Sequence, residues 1–238
     1  MNKLTRLSTL AAFAVGLGLA APAQAALVSI TGGSATGSLP SGNSVLGPAG
    51  ITFAGGSIIK NGTLRISEDD VTLTLYFVGS ESGWNDQIRL GNTAGAPLYH
   101  TETFGAGAGG GVHNPEISIG SVTQDAGRAN LRFYWTNPNP DKLLVKNGYS
   151  PPLISGQGRA SLAFAYLNEL DQIVKDPTNR ILVLLDDAFG HHPDRDYDDG
   201  VWILQASTPV PLPAAAWLLL SGLVGFGAVA RRRKTATG

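Results

Sequence analysis

In the octet Val71-Thr72-Leu73-Thr74-Leu75-Tyr76-Phe77-Val78, apolar and polar residues alternate from Val71 through Phe77. A period of two puts Val71, Leu73, Leu75 and Phe77 on one face and Thr72, Thr74 and Tyr76 on the other, the pattern of a half-buried β-strand rather than a helix. Leu131, Phe133 and Trp135 alternate with Arg132 and Tyr134 in the same way, and Leu162, Phe164 and Tyr166 alternate with small residues. Further strands are expected at 117–122, 181–185 and 201–205. With 31 Gly and 14 Pro breaking the apolar runs, no long helix is expected between the two ends of the chain. The expected body is an all-β, antiparallel β-sandwich of jelly-roll-like form, in which two packed sheets bury the alternating faces.

Local signals refine this picture. Asn61-Gly62, between Ser57–Lys60 and Thr63–Ile66, suits a two-residue type I′ turn, so a hairpin is expected there. Asn61-Gly62-Thr63 also reads as a glycosylation sequon, but turn chemistry explains the same residues more simply. Segments 31–50, 91–111 and 137–158 are rich in Gly, Pro, Ser and Asn and read as long loops, and 167–174 is the place for a short helix.

The two ends have a different character. Lys3 and Arg6 precede an apolar run, and Ala23-Gln24-Ala25 is a small-x-small cleavage site, so residues 1–25 read as a secretory signal peptide with Ala26 opening the mature chain. Residues 26–208 form the ectodomain and 209–213 a proline-bracketed linker. Residues 214–230 carry no charge and read as one transmembrane helix, at the short end of the usual length. The tail, 231–238, begins with Arg231, Arg232, Arg233 and Lys234, whose charge holds it on the cytoplasmic side.

Val210-Pro211-Leu212-Pro213, the short span beginning Ala214-Ala215-Ala216-Trp217, and the basic cluster together resemble a PEP-CTERM sorting signal. The usual Pro-Glu-Pro is replaced here by a variant without glutamate. The resemblance covers only about the last 25 residues. It implies recognition by an exosortase in a Gram-negative bacterium, cleavage near the prolines after signal peptidase has acted at the other end, and passage from the inner membrane to the cell surface or an exopolysaccharide matrix. A permanent single-pass anchor is the alternative reading of the same residues.

Composition excludes some functions. Of the 17 Lys and Arg, two precede Ala26 and four follow the span, leaving eleven in the ectodomain against all 18 Asp and Glu. An exported part near −7 argues against nucleic acid, whose phosphates require a basic face. With no cysteine, there are no disulfides or thiolate metal sites, and the core must hold the fold together.

The strongest chemical cluster is Asp186, Asp187, Asp194, Asp196, Asp198 and Asp199, six carboxylates in fourteen residues between two strand candidates. Hard oxygen donors at such density suit Ca²⁺, which takes six to eight of them. The glycine and terminal glutamate of an EF-hand are missing. The equally available reading is a solvated loop that protects a strand edge from aggregation. The arrangement also resembles the acidic strand-loop-strand ending of many PEP-CTERM ectodomains. There an upstream Gly-aromatic-Asn segment recurs, matched here by Glu81-Ser82-Gly83-Trp84-Asn85-Asp86, so Glu81, Asn85 and Asp86 are candidate additional ligands.

Other chemistry is less well supported. His191 and His192 adjoin the carboxylates and raise a zinc site, but no HExxH spacing accompanies them. Gly105–Gly110 satisfies G-x-G-x-x-G without opening a helix and reads as a loop. No nucleophile elbow is present, so a secreted hydrolase using the acidic loop is the weakest alternative and the expectation is no enzyme activity. An extracellular carbohydrate-binding module is the stronger alternative, with Trp84 as the candidate glycan-stacking residue.

Overall fold

The computed structural model describes residues 25–81, 86–91, 98–100, 112–135, 142–148, 160–186 and 196–209. These are all-β, with no helix among them. In chain order the strands are β1 (Val28–Thr31), β2 (Ser34–Thr36), β3 (Thr52–Phe53), β4 (Ile58–Lys60), β5 (Thr63–Ile66), β6 (Val71–Gly79), β7 (Asp86–Leu90) and β8 (Leu98–His100). They are followed by β9 (Val112–Gln124), β10 (Gly127–Arg128), β11 (Leu131–Trp135), β12 (Lys142–Lys146), β13 (Ser161–Leu167), β14 (Gln172–Val174), β15 (Arg180–Asp186) and β16 (Gly200–Ser207). The signal-peptide residues before Ala25, and the linker, span and tail from Val210 onward, lie outside the described residues.

Three sheets form. The largest runs β2-β4-β13-β15-β16-β6-β9, with β14 added on β13 and β3 on β14. The others are β1-β5-β10 and β12-β11-β7-β8. Every pairing is antiparallel except β14 with β3.

Period-two patterning explains β6 directly: Val71, Leu73, Leu75 and Phe77 are buried and Thr72, Thr74 and Tyr76 only partly so. Together with Leu162, Phe164, Val183, Trp202 and Leu204 of the large sheet, they meet Leu64 and Ile66 of the three-stranded sheet and Ile88, Leu90, Leu131 and Phe133 of the four-stranded one in a single core. This is a sandwich-like arrangement with the two small sheets opposite the large one.

The large sheet is also covered on its second face. β13 is buried at all seven positions and β15 at every position after Arg180. Alternate residues Ala163, Ala165, Leu182, Leu184, Val201 and Ile203 pack against Val45, Leu46, Ile51 and Tyr197 in a second cluster. The alanines of β13 matter here, because small side chains let an irregular segment approach at interior packing density. The stretch expected as a long loop at 31–50 therefore contains β2 and begins a strap over this face; those at 91–111 and 137–158 likewise contain β8 and β12.

Two local expectations are corrected. β4 and β5 do not form a hairpin: β4 pairs with β2 and β13, while β5 pairs with β1 and β10. Asn61 takes the positive φ of 57° that the dipeptide favours, but Gly62 does not, so the chain turns a corner between sheets instead of doubling back. A Cβ on Gly62 would lie 2.9 Å from Ile30 Cγ2 and 3.1 Å from Ile59 Cγ2, which is why glycine fits this corner. The short helix at 167–174 is a turn followed by β14. Asn168 Oδ1 accepts from the N–H groups of Leu170 and Gln172, each at 2.9 Å, a local alternative that competes with helical pairing.

Candidate metal centre

β15 and β16 pair antiparallel from Arg180↔Gln205 to Leu185↔Gly200, so the acidic segment joins neighbouring strands as expected. β6 lies on the other side of β16, with Gly79 opposite Val201. The pairing continues past the strand ends: the Glu81 N–H donates to the Asp198 carbonyl at 2.9 Å, and the Ser80 hydroxyl donates to the Asp199 carbonyl. Two segments more than a hundred residues apart are thus zipped so that Glu81 faces the acidic loop.

The result is a trio. Carboxylate oxygens of Glu81, Asp196 and Asp198 lie within 4.8 Å of one another. Asp196 is 4 % exposed and Asp198 0 %. Between them Tyr197 adopts φ 63°, uncommon for a bulky residue, and turns its ring into the second core cluster, where its hydroxyl meets Ser161 Oγ at 2.9 Å. The Lys60 ammonium sits 4.8 Å from the centroid of that ring. Turning Tyr197 inward leaves the flanking Asp196 and Asp198 to converge with Glu81.

A third segment closes over the trio. Asn43 Nδ2 donates to the Asp196 carbonyl at 2.9 Å, the Ser44 N–H donates to Asp198 Oδ2, and the Ser44 hydroxyl donates to Glu81 Oε2 at 2.7 Å. Gly42, with φ 101°, belongs to the same approach: a Cβ there would stand 3.1 Å from Asp196 Oδ2. Asp198 Oδ1, by contrast, is buried and has no hydrogen-bond partner. A buried carboxylate oxygen without a donor costs free energy, and a cation would supply the missing interaction. Carboxylates brought this close repel one another when ionised. A bound divalent ion reverses the sign of that interaction. All the donors are hard oxygens, the chemistry of Ca²⁺ rather than of a soft transition metal.

Of the residues singled out from the sequence, Glu81, Asp196 and Asp198 are brought together. Asp186 is buried at the end of β15 opposite Ser161, and Asp199 is partly exposed; neither belongs to the trio. Asp86 opens β7 with its backbone opposite Trp135. Asp187, Asp194, His191, His192, Trp84 and Asn85 lie outside the described residues. Asn43 and Ser44 were not singled out from the sequence. The available signal was a polar pair directly before the apolar Val45-Leu46, inside a stretch otherwise rich in turn residues.

The chain matches no protein-family model and no curated protein.

Proposed function

We propose that this chain is an exported, exosortase-sorted protein of the cell surface or extracellular matrix, in which a calcium-stabilised β-sandwich has a non-enzymatic structural or binding role. The observation that carries the calcium part is that carboxylate oxygens of Glu81, Asp196 and Asp198 lie within 4.8 Å of one another, with one oxygen of Asp198 buried and without a protein donor. Backbone carbonyls and water would complete the six to eight oxygens that Ca²⁺ takes. A disulfide-free domain outside the cell gains from such a tie, since the ion joins the β6 end to the β15–β16 connection. Delivery rests on the sequence: the signal peptide, the span at 214–230, and the basic stop at Arg231–Lys234. The partners are signal peptidase, an exosortase, the membrane during transit, and exopolysaccharide at the destination.

Calcium at a hundred times its dissociation constant adds about 2.7 kcal/mol to the folded state. For a domain of this size the melting temperature should rise by roughly 5–10 °C. Asp198→Asn, which keeps the side-chain size and removes the charge, should abolish the rise. Calorimetry showing no Ca²⁺ binding to the wild-type chain would sink the metal assignment. Delivery is checked separately by intact mass of the surface fraction, which should begin at Ala26 and end near Pro211–Pro213. Recovery of the uncut chain from the cytosol would refute export.

A further inference from the structure

The outward faces of the two small sheets concentrate positive charge in a domain that is acidic as a whole. Arg65 of β5 and Arg128 of β10 are both exposed and directly opposite in register, so their side chains stand next to each other on one face. Like charges so placed repel, and among the described residues neither guanidinium meets a carboxylate. In the four-stranded sheet Lys146 is opposite Arg132, and Arg132 is opposite Arg89. Five of the eleven Lys and Arg between Ala26 and Thr208 thus sit in two cross-strand rows.

At the seam between the rows lies a polar cleft of about 120 Å³, lined by Asn61, Gly62, Thr63, Lys146 and Gly148 among others. Gly148 joins the cleft to the arginine pair: a Cβ on it would stand 2.7 Å from Thr63 Oγ1 and 3.2 Å from Arg128 Nε. The Arg128 guanidinium therefore forms part of the rim. On the other side of β5, Ser29 and Thr31 are opposite Arg65 and Thr63. Charged N–H donors are set beside neutral hydroxyls.

We propose that this cleft and its arginine rim bind an acidic sugar unit of a polysaccharide, its carboxylate taken by Arg65 and Arg128 and its hydroxyls by Thr63 and the polar groups of the cleft. The inference rests on the reading of an exopolysaccharide partner above and gives that partner a site and a charge. Guanidinium groups match carboxylate geometry, and the hydroxyls beside them favour a sugar over a bare anion. A membrane surface fits less well, because interfacial binding needs apolar anchors. The exposed large hydrophobics among the described residues, Leu39 and Leu170, lie on neither small sheet. Nucleic acid is disfavoured by the acidity of the domain as a whole.

Calorimetric titration of the full chain in non-ionic detergent with a galacturonate oligomer tests the site. All proteins carry Arg231→Gln, Arg232→Gln, Arg233→Gln and Lys234→Gln, so that the basic tail does not compete. The oligomer should bind and a neutral dextran oligomer should not. Arg65→Gln and Arg128→Gln should each weaken binding about tenfold, the effect of one lost charge-assisted hydrogen bond. Melting temperatures should stay unchanged, because both side chains are exposed. Lys175→Gln, the same loss of charge at an exposed residue just after β14, should leave affinity unchanged. Equal weakening by Lys175→Gln, or none by either arginine change, overturns the site. Tighter binding to phosphatidylcholine vesicles containing phosphatidylserine than to the oligomer, lost in Arg128→Gln, overturns the polysaccharide assignment. Absence of oligomer binding removes this inference and leaves export and the calcium reading standing, whereas uncut chain in the cytosol refutes export whatever the titration shows.

Discussion

Trp202→Ala should cost about 3–5 kcal/mol, the range for removing a buried large aromatic. Trp202 is 1 % exposed. Its ring stands 5.1 Å from Phe133 of the four-stranded sheet, tilted 54°, and 6.2 Å from Phe77, its register partner on β6, tilted 57°. Tilted aromatic pairs of this kind add attraction beyond the area they bury. The ring also lies over Gly200: a Cβ there would be 2.0 Å from Trp202 Cη2, so the backbone has been kept bare to admit it. The side chain thus fills the space between the two layers. Urea unfolding should show a midpoint lowered in proportion, and the melting temperature should fall by roughly 6–20 °C. A loss below about 1 kcal/mol would mean that the layers are not held at this point.

Asn147→Ala should be nearly as damaging, at about 2–4 kcal/mol, although the residue is polar. Asn147 is 2 % exposed, just after β12. Its Oδ1 accepts from the Leu64 N–H at 2.7 Å, and its Nδ2 donates to the carbonyls of Leu64 and Ala129 at 2.7 and 2.8 Å. Its own N–H donates to the Leu131 carbonyl at 2.9 Å. One amide side chain therefore clips the three-stranded sheet to the four-stranded one, satisfying backbone groups at the seam where no ladder continues. Truncation leaves the Leu64 N–H buried without an acceptor, and the penalty for such an orphan, about 1–3 kcal/mol, exceeds the net worth of an ordinary hydrogen bond. Asn147→Asp is the sharper test, because it keeps the size and the acceptor but sets a carboxylate oxygen against two carbonyls. It should destabilise at least as much as Asn147→Ala. Full stability in Asn147→Asp would show that the donated bonds do not hold the seam.

The strands themselves were legible from residue order. The alternations at Val71–Val78, at Leu131–Trp135 and at Ser161–Tyr166 each mark a strand, as do the apolar runs at 181–185 and 201–205. Period two is a local property, set by successive side chains pointing to opposite faces. Asn61 shows where locality stops. Its dipeptide favours a positive φ and obtains it, yet whether the chain returns on itself or crosses to another sheet depends on the partners of β4 and β5, and these come from β13 and β1. The segment 31–50 shows the same limit, since its composition is that of a loop and only the apolar face it covers makes Val45 and Leu46 core residues. At 167–174 a single side chain, Asn168, redirects the backbone into a turn where composition had allowed a helix.

The acidic cluster divides in the same manner. The density of carboxylates after Asp186, and Glu81 as a candidate companion, could be read from the sequence alone, because charge and donor type belong to the residues. Which of them share a site could not. That was decided by β6 and β16 pairing beyond their ends, and by a strap that reaches Asp198 from 154 residues away. Residue order determined the all-β character of the described residues, a chain free of disulfides, and one unusually acidic connection. Only the tertiary structure decided that Glu81, Asp196 and Asp198 converge beneath Ser44, because strand pairing and packing join residues whose separation along the chain leaves no local trace.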